Sequence, residues 1–148
     1  MLCAKHIAYR GGIKLSSIEG KRKKELEDIQ KLINYKFSTL TLLNTALTHS
    51  SYTANRQEVV EHNERLEFLG DSVLSTVISQ YIFKSCNEMA EGQLTRIRAN
   101  IVCEQSLHIA ANKINLGKYL LLSKGEELTG GRTRASILAD AFEALIAA

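Results

Sequence analysis

The stretch NERLEFLGDSVLSTVISQYIFK, residues 63–84, decides how this chain is read. Leu66, Leu69, Val73, Val77 and Tyr81 recur near the 3.6-residue period, which predicts one apolar face on a long helix. That face is expected to pack into the core. Glu64, Glu67 and Asp71 stand at i, i+3 and i+7, within an arc of about 60° on another face. Gly70 lies beside these acids, where a glycine costs about 1 kcal/mol relative to alanine. Its place inside the helix points to close approach by another backbone or group.

The same periodicity organises the rest. Leu26, Ile29, Leu32 and Ile33 predict an amphipathic helix over 21–33, and Asn34, Tyr35 and Lys36 a break. Leu40, Leu43, Ala46 and Leu47 mark a second helix, followed by a polar, loop-like stretch over 49–60. A further loop is expected over 85–92, then a helix over 95–114 interrupted near Cys103 to Ser106. Gly117 and Gly125 bracket a short apolar piece, Gly130 and Gly131 form another break, and 136–148 return to helix. Strand alternation is nowhere sustained. The class is all-α, a bundle of six or seven helices. Residues 1–20, punctuated by Gly11, Gly12 and Gly20, are expected to be a flexible leader to one domain over 21–148. The last residues, Leu145 to Ala148, stop while the helical pattern is still running, so that domain is expected to be truncated at its C-terminus.

Composition narrows the function classes. At 148 residues, 45% hydrophobic and 24% charged, the chain can bury one core and is no disordered tail. No run of about 18 apolar residues exists, which excludes a membrane-spanning helix, and the first residues lack the apolar region of a secretory signal. Cys3, Cys86 and Cys103 are too far apart for a CxxC metal site and odd in number, so a reducing cytosol is expected, with Cys86 and Cys103 as unreactive thiols. The net charge of +3 is uneven: residues 1–36 carry nine Lys/Arg against four acids, and 37–148 carry ten against twelve. The basic start is either a polyanion contact or a solvated helix start.

The chemistry lies in the acids. Asp140 and Glu143 stand at i and i+3 on the last helix, with Leu138, Ala141, Phe142 and Leu145 on its apolar side. Spacing alone is compatible with solvated acidic stripes. Packed together, however, the two helices would bring four carboxylates into one pocket. Clustered carboxylates are relieved by a hard divalent cation, which in turn suits phosphodiester hydrolysis.

HNERLEFLGDSVLS (62–75), EGQLTRIRANIV (91–102), GGRTRASILADAFEALIAA (130–148) and the lead-in LTHSSY (47–52) together resemble the ribonuclease III endonuclease family. The resemblance covers roughly residues 26–148. It implies a ribonuclease III-like helical bundle acting as a homodimer, in which each subunit cuts one strand of double-stranded RNA and leaves 5′-phosphate and 3′-hydroxyl ends. It implies Mg²⁺ as cofactor, with Mn²⁺ as substitute, no organic cofactor and no membrane. Structured precursors such as ribosomal RNA would be its substrates. Position by position, Glu67, Asp71, Asp140 and Glu143 match the catalytic, metal-binding carboxylates, with Asp71 and Glu143 the most critical. Glu64 matches an acid at the edge of the site, and Glu91 one associated with the catalytic valley. Phe68 matches an aromatic that inserts into the partner subunit. Arg96 and Arg98 would lie near the site, as phosphate contacts or as ion-pair partners within the helix. Full-length bacterial members carry a double-stranded-RNA-binding domain after the nuclease domain, and the resemblance here extends over the nuclease domain alone. The alternative is a non-catalytic RNA-binding or assembly module with the same fold, whose mark would be loss of the acids.

The remaining polar residues are read more plainly. Arg132 and Arg134 either touch RNA or brace the loop before the last helix, and bracing is preferred. His62 is expected to fix a helix start, and His49 and His108 to be structural.

Overall fold

Helix α8 (Ala135–Ala147) is the most apolar segment, and the other elements are arranged around it. It buries Ile137, Leu138, Ala139, Ala141, Ala144 and Leu145. A helix apolar over so much of its circumference needs cover on several sides. In this computed structural model, which describes residues 20–54 and 60–148, that cover comes from α2 (Leu40–Ala46), α4 (Glu64–Ser85) and α6 (Glu104–Lys113). Helix α1 (Gly20–Leu32) closes the far side of the core with Leu26 and Ile29. Helices α3 (Ser50–Thr53), α5 (Glu91–Ile101) and α7 (Lys124–Leu128) and the 3₁₀ turns Leu116–Tyr119 and Gly131–Thr133 complete the elements of the described residues. The described residues contain no strand, only an isolated parallel bridge between Thr48 and Leu121. The all-α class and helical bundle expected from the sequence are what the structure has.

Several expectations need correction. The stretch 49–60 contains a short helix, α3, because His49 caps it: its Nδ1 accepts the Ser51 N–H at 3.2 Å. The helix expected from 95 begins at Glu91, where the Ala90 N–H donates to Gln93 Oε1 at 3.0 Å. The anticipated break is real and falls at Val102 and Cys103. The helix expected over 21–33 starts at Gly20, and the remainder of the expected leader, with Cys3, lies outside the described residues.

The largest correction concerns α4. Its buried residues are Leu66, Gly70 and Ile82, with Leu74 and Ile78 half-buried. Leu69, Val73, Val77 and Tyr81, expected in the core, are exposed, as is Phe68 at 79%. Helix α4 carries two apolar rows, and the i, i+4 row through Gly70 faces α8. The glycine lets the helices approach closely; the bulkier row is left outside. So large an apolar stripe on a water-facing helix marks an interaction surface.

Candidate active site

The start of α4 is fixed from below. The Asn63 N–H donates to the Thr48 carbonyl at 2.9 Å, and the Glu67 N–H to the Asn63 carbonyl at 2.8 Å. Thr48 is fully buried and donates its hydroxyl to the Asn44 carbonyl. The His49 N–H reaches Leu121 O at 3.0 Å, and the Leu121 N–H reaches Leu47 O at 2.8 Å. The LTHSSY segment therefore ties α2, α4 and the 121–123 segment together. Ser51 Oγ extends this tie by accepting the Ser123 N–H at 3.1 Å.

The start of α8 is braced as tightly. Arg132 donates to the carbonyls of Gly117 and Leu120, both at 2.9 Å, and to Glu127 at 2.5 Å. Arg134 pairs with Glu126 and donates to the Thr129 carbonyl and hydroxyl. Gly130 takes a left-handed φ of 80°, which a glycine adopts without strain. Of the two readings for Arg132 and Arg134, the hydrogen bonds favour bracing.

Between these anchored ends, α4 and α8 meet at Gly70. A Cβ there would lie 1.9 Å from the carbonyl oxygen of Glu143, so only glycine permits the contact. That backbone approach brings Glu67, one turn earlier, against Asp140 and Glu143. Carboxylate oxygens of all three lie within 4.8 Å of one another, and all three side chains are half-buried. Burial and the negative charges of Asp71, Glu67 and Asp140 push the Glu143 carboxyl up to about 7. Glu67 is raised by burial and then by Asp140, Glu64 and Asp71. Asp140 is also raised, chiefly by burial and then by Glu104, while the His49 ring draws it down. Three oxygen donors gathered in one anionic cluster, with no nitrogen or sulfur among the three, are a donor set that could hold a hard divalent cation.

Asp71 is exposed and outside the tight trio, although its charge acts on both Glu67 and Glu143. Glu64 is exposed and 3.9 Å from His62. Glu91 opens α5 and accepts the Thr95 hydroxyl at 2.8 Å. It borders a cleft of about 380 Å³ shared with Ser79, Gln80 and Arg98. Arg98 donates to Ser79 Oγ at 3.1 Å, tying α5 to α4, and Arg96 is exposed. Neither arginine is ion-paired among the described residues. Two neighbours of Asp140 were not anticipated as site residues. His49 was legible only as part of LTHSSY. Glu104 gave no signal, because the turn at Val102 and Cys103 is what swings α6 back beside α8.

A family model described as Ribonuclease-III-like matches residues 40–148. Ribonuclease 3 of Clostridium tetani is 57% identical over 123 residues, covering 83% of this chain and 52% of that protein. Ribonuclease 3 of Geobacillus thermodenitrificans is 54% identical over 129 residues, covering 86% and 52%. The chain thus spans about half the length of the curated relatives it matches. Among solved structures, the nuclease domain of ribonuclease III from Campylobacter jejuni aligns with a TM-score of 0.77 at 43% identity, over 82% of each chain. That structure is described as showing flexibility in a region involved in dimer formation.

Proposed function

This chain belongs to the ribonuclease III family, and from that membership we propose that it is the nuclease domain of a divalent-metal-dependent endonuclease that hydrolyses double-stranded RNA. The convergence of Glu67, Asp140 and Glu143 carries the reading. In it these three carboxylates hold Mg²⁺, or Mn²⁺ in its place, with Asp71 joining from the same face of α4. When bound, the cation supplies activation of water and stabilisation of the charge that develops on the scissile phosphate. Glu143 sheds its proton to bind, so metal affinity rises with pH up to about 7. Glu64, Glu91, Arg96 and Arg98 serve the edge of the site, where the arginines contact phosphates.

The cut leaves a 5′-phosphate and a 3′-hydroxyl. Two copies pair through the exposed row of α4, with Phe68 entering the partner, so that each copy cuts one strand. The substrates are structured precursor RNAs, ribosomal RNA among them, in the cytoplasm. No described helix is long and apolar enough to cross a membrane.

The test is incubation with long double-stranded RNA at low salt, with Mg²⁺ or with chelator, beside a single-stranded RNA of the same sequence. Metal-dependent cutting of the duplex alone is expected. Equal cutting of both RNAs, or cutting in chelator, would contradict the proposal.

A further inference from the structure

The acidic site leaves open how a polyanion is attracted to this domain, and the first turn of α1 supplies an answer. Gly20 is followed by Lys21, Arg22, Lys23 and Lys24, with no acid in that turn. Cations there oppose the positive end of the helix dipole, so the run does not serve the helix itself. Arg22 is the structural member. It donates through Nε to Asn44 Oδ1 at 2.8 Å and through Nη1 to the Tyr119 carbonyl at 2.7 Å and to Glu25 at 3.1 Å. Those bonds seat the turn on the 3₁₀ turn Leu116–Tyr119, a segment 97 residues away in sequence. There Lys118 lies exposed, its Nζ 5.2 Å from the Tyr119 ring centroid.

Lys21, Lys23, Lys24 and Lys118 are all exposed, and none has an ion-pair partner among the described residues. Of the nearby acids, Glu25 is taken by Arg22 and Asp28 lies 3.9 Å from Lys31; Glu27, one turn on from Lys23 and Lys24, makes no ion pair among the described residues and leaves the four lysines in excess. A half-buried arginine thus joins two elements distant in sequence, the first turn of α1 and the 3₁₀ turn Leu116–Tyr119, and both carry exposed lysines without an ion-pair partner among the described residues.

We propose that this corner, Lys21, Lys23, Lys24 and Lys118, is a docking surface for the phosphate backbone of duplex RNA, separate from the carboxylate site. The inference rests on the duplex-RNA reading given above. Flexible ammonium groups follow a phosphate array without reading its sequence, so the corner contributes affinity and no base preference. It offsets the acidic site, which on its own repels phosphate until a cation is bound.

The salt dependence of binding tests this directly. A duplex RNA of about 30 base pairs is titrated in the Glu143→Gln background with Mg²⁺, over a range of salt concentrations. Replacing Lys21, Lys23 and Lys24 together by glutamine is expected to reduce the slope of log K against log salt by about 2–3, and Lys118→Gln by about 1. Affinity at about 0.1 M salt should fall at least tenfold, for any sequence. The triple variant should melt no lower than the parent, because the lysines oppose the helix dipole. Lys84→Gln, at the far end of α4, is the control and should change the slope less. Normal duplex binding with an unchanged slope would overturn this inference alone. Failure of the parent to bind any duplex would overturn it together with the substrate reading. Loss of binding to anionic vesicles but not to duplex would assign the corner to membranes and overturn it as well.

Discussion

Glu143 is where sequence, packing and chemistry meet. Its carboxyl, ordinarily near 4.5, sits near 7 because burial and three neighbouring acids disfavour the charge. A group that holds its proton more tightly in the fold adds stability below about pH 4.5, and that contribution is lost as pH rises to about 7. The metal-free protein is therefore expected to carry a destabilising charge cluster at pH 8. Glu143→Gln should raise the metal-free melting temperature at pH 8 by about 2–5 °C and have a much smaller effect at pH 5. Thermal melts at the two pH values check this, and equal shifts at both would refute it. Gly70 makes the second residue-scale case. Alanine there would set its Cβ 1.9 Å from the Glu143 carbonyl, which is backbone and cannot swing away. Gly70→Ala should cost about 3 kcal/mol or more by denaturant unfolding and should displace Glu67 from its partners. A variant of unchanged stability would mean that α4 and α8 do not meet there. The sequence made Gly70 legible as a point of close approach. It could not say that the approaching group is the backbone of Glu143, since that depends on how two helices 70 residues apart cross.

Among the elements, α4 separates what periodicity reveals from what it hides. Its length and acidic face were legible over residues 63–84, because both follow from spacing along one helix. Which apolar row enters the core was not. Leu69, Val73, Val77 and Tyr81 are the bulkier row, and a period-based reading places them inward. The structure instead turns Leu66 and Gly70 toward α8, since only the glycine row allows the backbones to touch. Tyr81 is left 67% exposed and Val77 54% exposed. If that row pairs two copies, Val77→Glu with Tyr81→Glu should give a monomer of unchanged helicity by sedimentation and circular dichroism. A dimer that survives both charges would place the interface elsewhere. Helix α6 is an opposite case: its break from α5 was anticipated, but Glu104's position beside Asp140 was not, because a break does not disclose the direction of the next helix.

Across the whole molecule, the anchors at both ends of the site explain why a small all-α fold can hold three like charges together. The Thr48 and Asn63 contacts fix α4, the Arg132 and Arg134 braces fix α8, and the buried side chains of α8 supply the apolar energy. The four acids proposed to bind metal were nameable from the motifs, but geometry grades them. Glu67, Asp140 and Glu143 converge, whereas Asp71 stands at the open side. Charge is divided in the same way, with the carboxylates between α4 and α8 and, at the start of α1, lysines without an ion-pair partner among the described residues. The proposed function depends above all on the three converging carboxylates forming a divalent-cation site. Calorimetric titration of the metal-free protein with Mn²⁺ at pH 8, beside Glu143→Gln, tests it most directly. Saturable binding is expected in the parent, weaker as pH falls below 7 and at least tenfold weaker in the variant. Binding of equal strength in both proteins, or no saturable binding in the parent, would contradict it.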